Sequence, residues 1–369
     1  MQHGLDFLLD LNIQKRWNDK MRQLASIKRI QEIKPIIGAD KICSYRVDGW
    51  WVVDKKDQYN IGDLVVYLEL DSWIPFELAP FLSKGKDPKE YNGVKGERLK
   101  TIRLKGSLSQ GLILPLTVLS VNTDTGDYLG DWEQFEGHDV SERLGIQKWE
   151  PPIPAQLRGK IAGNFPSWAR KTDQTRIQSC YGEVYPYFDE YWSVEEKMDG
   201  SSMTVAKRND EVHVCSRNLS IKLDDDTNTF ISVAKSTGII DKICQYPRNV
   251  AISGELCGEG IQGNRYNIKG HRWFIFDIFD VDMQRYVSWE ERQAIISDFA
   301  EMGVKLDQVP LVAVGPLTDM TVDSLLETAE SKSKIDPETE QEGLVFKNIK
   351  NPEMSFKAIS NLYLLETGN

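Results

Sequence analysis

Between Trp149 and Tyr181 the chain loses its apolar periodicity, as Pro151-Pro152-Ile153-Pro154 gives way to Gly159, Gly163 and Pro166. Such residues neither extend a helix nor sustain a central strand. On both sides lie short apolar runs of β type separated by turn signals, so the 369 residues divide near position 150 and do not build one continuous core. Residues 1–20, with Leu5, Phe7, Leu8, Leu9 and Leu11 ahead of a polar stretch, read as an extension. The expected domains are therefore 21–150 and 151–369.

Before the break, Arg46 to Val53 carries an Asp48-Gly49 hairpin cue, Gly62 to Glu69 reads as a strand, and Leu99 to Leu104 reads as another ahead of Gly106. Several short strands in so few residues predict a small closed or partly closed β-barrel, of which the OB-fold is the commonest nucleic-acid-binding form. If 98–105 is one regular strand, Arg98 and Lys100 share one face and Arg103 and Lys105 the other. Solvated charges and a phosphate-tracking groove both fit that pattern. After the break, strands recur from Tyr191 and a helix is predicted over Trp289–Met302. Alternating apolar runs favour an antiparallel α+β domain over a βαβ series. Phe274, Phe276 and Ile278 would share one strand face, with Asp277 on the other.

Charge and cysteine content narrow the functions. A formal charge of −11 argues against indiscriminate polyanion binding, so any nucleic-acid contact must come from local basic patches. Five cysteines without a C-x-x-C pair suggest neither a disulfide framework nor a zinc site, and four histidines, none at H-x-x-x-H spacing, leave little for histidine-based metal sites. The stretch Gly111 to Val121 is interrupted by Pro115 and Thr117 and falls short of the ~20 residues of a membrane span. No basic n-region leads into a long apolar core at the start, so a cytoplasmic or other reducing compartment is expected.

The stretch richest in chemistry is Ser193-Val-Glu-Glu-Lys-Met-Asp-Gly-Ser-Ser202. A lysine beside two carboxylates is followed by a tight Asp-Gly turn and two hydroxyls. Taken alone it is a plausible surface hairpin. Downstream follow, in order, Cys215-Ser-Arg-Asn218, Ser253-Gly-Glu-Leu-Cys-Gly258, Trp273-Phe-Ile-Phe-Asp-Ile278, Gln341-Glu-Gly-Leu-Val-Phe-Lys347 and Ser355-Phe-Lys-Ala-Ile-Ser-Asn361.

In that order these segments resemble the motifs of covalent nucleotidyltransferases, and more narrowly ATP-dependent RNA ligases of the Naegleria and Deinococcus type, with an N-terminal OB module. Ile36 to Ile42, Gly62 to Tyr67, Leu108 to Leu112 and Lys171 to Gln178 extend the resemblance over about residues 21–365. It implies that Lys197 attacks the α-phosphate of ATP, that AMP passes to an RNA 5′-phosphate, and that a 3′-hydroxyl then seals the ends, with Mg²⁺ or Mn²⁺ as the metal. DNA ligases and capping guanylyltransferases share the motifs but usually carry the OB domain after the transferase domain, and only eight residues follow Asn361. A non-catalytic OB-type RNA-binding protein is the remaining alternative.

A free lysine, with a pKa near 10.4, offers about one neutral amine in a thousand at neutral pH, so the site must lower it. The expected means are the metal, Lys357 and Lys347. Glu195, on the Lys197 face, is assigned to the adenine N6 amine, with Glu196 beside the nucleotide. Arg217 is expected to fork onto phosphate or ribose, Glu255 to meet the ribose hydroxyls, and Phe276 to cover adenine, although a salt bridge, a turn and core packing are the plain alternatives. Glu342, Glu255 and Asp199 are the carboxylates expected near metal. Relatives carry Lys-x-Lys in the last motif, whereas position 359 is Ile, which leaves Lys357 as the favoured α-phosphate contact. Glu342 and Lys347, five apart, reach one pocket only if a bulge or strand end intervenes. Arg176 and Lys171, with Arg98, Lys100, Arg103 and Lys105, are candidates for the RNA phosphates. One pocket suffices for this chemistry, so a monomer is expected.

Overall fold

The computed structural model describes residues 22–119, 132–150 and 160–367, so the extension at 1–20 lies outside the described residues. These residues form two compact units, one of 22–119 and 132–150 with the last residues from Leu364, and one running from 160 to Tyr363, so that the C-terminal helix begins in the second.

The first unit is built from β1 (Ala25–Pro35), β2 (Ile42–Val47), β3 (Trp50–Lys55), β4 (Leu64–Leu68), β5 (Ser72–Pro75), β6 (Lys89–Tyr91), β7 (Val94–Arg98), β8 (Ile102–Leu104), β9 (Ser107–Ser109), β10 (Leu112–Pro115) and β11 (Gln147–Lys148). Its sheets run β10-β4-β1-β2-β3 and β11-β5-β7-β6, with β8–β9 a separate hairpin. The long β1 bends at a bulge between Ile30 and Glu32, so that its first half pairs with β4 and its second with β2. Ala25 and Ile27 accordingly join one core with Val66, Leu68 and Leu114, while Ile30 joins another with Tyr45, Val47, Trp50 and Val52. Asp48 turns β2 into β3 at a φ of 51°. The single strand expected over Leu99–Leu104 is not formed. β7 ends at Arg98, β8 starts at Ile102, and Lys105-Gly106 turns back into β9 with φ of 49° and 85°. Arg98 and Lys100 therefore do not share a strand face, nor do Arg103 and Lys105.

The second unit contains β12 (Ile161–Asn164), β13 (Thr175–Arg176), α1 (Ile177–Val184), β14 (Trp192–Lys197), β15 (Ser201–Arg208), β16 (Glu211–Ser216), β17 (Leu219–Ile221), α2 (Thr229–Ser236), α3 (Ile239–Gln245), β18 (Val250–Gly258), β19 (His271–Asp280) and β20 (Arg285–Tyr286). It continues through α4 (Trp289–Glu301), β21 (Asp307–Gln308), β22 (Leu311–Gly315), α5 (Val322–Ala329), β23 (Gly343–Asn348), β24 (Ser355–Ile359) and α6 (Asn361–Thr367). One sheet runs β12-β17-β16-β15-β18-β19-β20 with β21 on β19, and the other β13-β24-β23-β14-β22. Only β13–β24 and β19–β21 pair in parallel among the described strands, which makes this an α+β unit of largely antiparallel sheets.

Each sheet packs one apolar face against helices, while the other carries the motif residues and, in the larger sheet, two smaller apolar clusters. Trp192, Val194, Leu344, Phe346 and Phe356 pack with Ile177 of α1 and Leu325 of α5. Met203, Val205, Ile252, Leu256 and Ile275 pack with Ile231, Ile243, Ile295 and Phe299 from α2, α3 and α4. The remaining faces, which carry the motif residues, meet each other. The alternation expected along β19 breaks at a bulge, because Ser253 pairs with Asp277 while Gly254 pairs with Ile275. Phe276 is the extra residue, so Ile278 joins the helix-covered core and Asp277 turns to the polar side with Phe274. Among the described residues, no helix is long and apolar enough to cross a membrane.

Candidate active site

Ser193, Glu195 and Lys197 alternate along β14, away from the apolar face that buries Trp192 and Val194. β14 lies between β22 and β23, and its last residue, Lys197, sits opposite Gly343. Immediately beyond it the chain turns at Met198-Asp199-Gly200. A Cβ on Gly200 would lie 2.5 Å from the Leu256 carbonyl oxygen, so only glycine lets this turn seat against β18. Gly343 is equally tight, its Cβ position being 2.2 Å from the Ala358 oxygen. Because β23 begins at Gly343, Glu342 precedes the regular alternation, and this strand end lets Glu342 and Lys347 both reach the polar side.

Lys197 Nζ is 2.6 Å from Glu342 Oε1. Burial works to lower the Lys197 ammonium, but the charges of Glu342 and Glu255, with Asp199 behind them, prevail and hold it above the usual lysine value. The expected lowering by Lys347 and Lys357 is therefore not found in the protein alone. Glu255 is pushed up to about 8, first by burial and then, against the pull of Lys197, by Glu342 and Asp199. Asp199 is also raised, by burial and by Glu342. Its backbone N–H donates to the Tyr266 hydroxyl at 2.7 Å, and its carboxylate accepts from Tyr363.

Deeper between the sheets, Glu195 takes Arg292 on one carboxylate oxygen and Lys347 Nζ on the other at 3.0 Å. Lys347 also meets Asp277 Oδ1 at 2.7 Å, and both cations donate to the Phe276 carbonyl. Burial raises the Glu195 carboxyl, yet Lys347 and Arg292 bring it below its ordinary value. Glu195 is 1% exposed with both oxygens engaged by Arg292 and Lys347, so its charge is committed to this network before any contact with adenine. Glu196, also 1% exposed, accepts from the Ser333 hydroxyl and from the Lys334 N–H at 2.8 Å, which ties it to the loop after α5 and not to a nucleotide. Lys347 is likewise turned from phosphate duty into this network.

A third group lies nearer solvent. Asp173 Oδ2 accepts from Arg217 Nη2 at 3.0 Å, and its Oδ1 lies 3.3 Å from Lys357 Nζ. Lys357 shares a face with Glu195 through Val345, while Ile359, 4% exposed, lies in the row of Lys197 and Gly343. Arg176 pairs with Lys357 across β13 and β24, and Lys171 Nζ donates to Asn218 at 2.9 Å beside Arg217. Phe276 is half-buried at the edge of a cluster with Met198 and Phe274.

In the first unit, Arg98 is held by Asp71 at 2.6 Å and stacks 4.0 Å from the Trp149 ring centroid, a structural pairing and not a groove cation. Lys100 is kept below the usual lysine range by partial desolvation and by Arg98 and Lys89. Arg103 and Lys105 are exposed on the β8–β9 hairpin.

Among the described residues, no three carboxylate, imidazole or thiol side chains converge as a ready-made metal cage. Glu342, Glu255 and Asp199 nevertheless crowd one lysine with excess negative charge. That surplus fits a hard divalent cation of the Mg²⁺ type, which takes one or two carboxylates and completes its shell with water and phosphate oxygens. Asp173, Arg292 and Tyr363 escaped the sequence reading. Only Arg292 left a trace, as a cation in register with Ile295 and Phe299 on the buried face of α4.

The RNA ligase family model matches residues 190–359, and a model of an OB-fold domain matches residues 24–116, so the first unit is an OB-type fold. A structure of a variant of Naegleria gruberi RNA ligase with AMP and Mn is 39% identical, with a TM-score of 0.83 over 93% of this chain and 98% of that one. The same ligase with PPi is 38% identical, with a TM-score of 0.82 over 93% and 98%. A variant of it with ATP and Mn is 39% identical, with a TM-score of 0.82 over 92% and 98%. No curated protein matches. The chain belongs to the RNA ligase family, with an OB-type unit ahead of a mixed α+β ligase unit.

Proposed function

We propose that this protein is an ATP-dependent RNA ligase that joins 3′-hydroxyl to 5′-phosphate ends through a lysyl–AMP intermediate. The observation that carries the reading is Lys197 at the end of β14, paired with Glu342 and crowded by Glu255 and Asp199, with Lys357 on the same sheet face and joined to Arg217 through Asp173. The ATP, AMP, PPi and Mn bound by the Naegleria ligase support the same nucleotide and metal here.

Lys197 Nζ attacks the α-phosphorus, forming a P–N bond while the bond to the β-phosphate oxygen breaks and pyrophosphate leaves. Glu342 Oε1, at 2.6 Å, is positioned to take the proton that the ammonium must lose. An oxygen of the RNA 5′-phosphate then attacks the adenylate phosphorus and frees the lysine. Finally the 3′-hydroxyl attacks the activated 5′-phosphorus, and AMP departs. All three are in-line displacements at anionic phosphorus, in which positioning and charge neutralisation carry the rate. Glu342, Glu255 and Asp199 would hold a Mg²⁺ or Mn²⁺, which would neutralise charge on the phosphates. Lys357 and Arg217 take phosphate oxygens once Asp173 gives way, and Arg176 and Lys171 line the approach. The OB unit takes RNA, and the chain acts as a monomer in a reducing compartment, as its five free cysteines favour.

Incubation with α-labelled ATP and divalent metal should leave acid-labile label on the denatured chain, and Lys197→Ala should abolish it. Equal labelling of that variant would overturn the nucleophile. Transfer from GTP would favour a capping-type enzyme, and equal sealing of all-DNA nicks would remove the RNA preference.

A further inference from the structure

Gly343 pairs with Ile359 across β23 and β24, so the residue that follows β24 comes to lie beside Glu342. There the Ser360 N–H donates to the Glu342 carbonyl at 2.9 Å, and the Ser360 hydroxyl accepts from the Tyr363 N–H at 3.2 Å. Tyr363 in turn brings its phenol to Asp199 and donates to the carboxylate. Ser360 is 0% and Tyr363 5% exposed, so bulk water does not compete for these bonds. One short turn thus holds the main chain of Glu342 and the side chain of Asp199, two of the three acids that crowd Lys197.

The connection between β18 and β19, residues 259–270, closes the bracket from the other side. Its Arg265 guanidinium carbon lies 5.0 Å from the Tyr363 ring centroid. The same guanidinium donates through Nε and Nη2, both at 3.1 Å, to the carbonyl of Glu340, two residues before Glu342. The Thr339 hydroxyl donates back to the Arg265 carbonyl at 3.1 Å, and Asn267 Nδ2 donates to Asp336 Oδ2 at 2.7 Å. Tyr266, 4% exposed, accepts from the Asp199 N–H at 2.7 Å. Asp199 is therefore gripped at its main chain by Tyr266 and at its side chain by Tyr363, while Arg265 ties this grip to the segment that delivers Glu342.

We propose that Tyr363, held by Arg265, is a positioning residue that fixes the Asp199 carboxylate relative to Glu342 for the attack of Lys197 on ATP. The charges of Asp199 and Glu342 repel each other, and the Tyr363 hydrogen bond with the nearby Arg265 charge opposes that repulsion on the Asp199 side. The arrangement matters to the rate because a displacement of about 1 Å among reacting groups costs up to about 100-fold. Tyr363 acts through Asp199, and Arg265 acts through Tyr363 and the Glu340 carbonyl. The inference rests on the RNA-ligase reading and names a support for its first step.

The test follows the full chain in single-turnover self-labelling with α-labelled ATP and Mn²⁺. Tyr363→Phe keeps the ring under Arg265 and removes the hydroxyl alone. It should slow labelling at saturating ATP about tenfold or more and leave the KM for ATP within about twofold of the parent. Tyr246→Phe is the control, because that buried phenol also donates to a carboxylate, Asp298 Oδ2 at 2.9 Å, but on the helix-covered side of the large sheet. It should lower the melting temperature as much as Tyr363→Phe does and leave labelling unchanged. Crystal structures of the parent and of Tyr363→Phe should show the Asp199 carboxylate turned from its parent position with Glu342 in place. A labelling rate within about twofold of the parent, equal slowing by Tyr246→Phe, or an unmoved Asp199 carboxylate would each overturn the positioning role. Should Tyr363→Phe fail to fold, Arg265→Gln decides on the same criteria. A parent that labels no faster than Tyr363→Phe defeats this role alone, whereas a parent that takes no label from ATP defeats the ligase reading and the role with it.

Discussion

Asp173 occupies two cations at once, Arg217 and Lys357, and those are the cations assigned to nucleotide phosphate. A carboxylate there stands where phosphate oxygens must go, so ATP has to displace it. The pair with Arg217 is largely exposed and worth at most about 1 kcal/mol, which corresponds to about fivefold in affinity. Asp173→Asn should therefore lower the KM for ATP in self-labelling by up to about fivefold and leave the saturated single-turnover rate unchanged. A raised KM would show instead that Asp173 helps to build the pocket. Lys197 was legible as the proposed nucleophile through the resemblance, because its segment, a plausible hairpin when taken alone, leads five others in the order of the nucleotidyltransferase motifs. Asp173 was not, since its partners lie 44 and 184 positions away and only the folded sheets bring them together. Glu195 misled for the same reason: period two put it on the Lys197 face correctly, but nothing local announced Arg292 behind it.

Helix α4 shows what a local signal can and cannot specify. Ser288 caps it and Glu291 closes the capping box, so its start is written in four residues, and the expected helix over Trp289–Met302 forms within one residue at its end. Glu291 also receives both Nη atoms of Arg285, and these bonds bring its carboxyl down to about 2 from an ordinary 4.5. A carboxyl depressed on folding stabilises the native state fully above the unfolded value and ceases to do so as the pH falls through about 2. Glu291→Gln should lower the melting temperature by about 2 °C near neutral pH, since the pair is partly solvated and worth under about 1 kcal/mol. The gap between variant and parent should close as the pH is taken down toward 2; a constant gap from neutral to acid would exclude the ion pair as its cause. Strand irregularities were less legible. The bulge at Phe276 and the split of Leu99–Leu104 into separate strands depend on which partner strand arrives, and neither leaves a mark in hydrophobic alternation.

At the scale of the molecule, each unit keeps its own cores. Ile27, Val66 and Leu68 belong to the first, and Val205, Ile252, Phe346 and Phe356 to the second. A fragment of residues 153–369 should fold, accept label from ATP at Lys197, and lose most of the parent's affinity for single-stranded RNA. Full RNA affinity in that fragment would shift recognition away from the OB-type unit. Within the second unit, Glu195, Lys347, Asp277 and Arg292 join β14, β23, β19 and α4 through buried charge. Two acids and two bases locked together in a dry interior act like a rivet, because separating any one of them strands a charge away from water. The strand that presents Lys197 is therefore pinned to both sheets. On the proposed mechanism, three successive displacements are run on one rigid anvil, and whatever must move between them is the workpiece: nucleotide, then RNA end, then incoming hydroxyl.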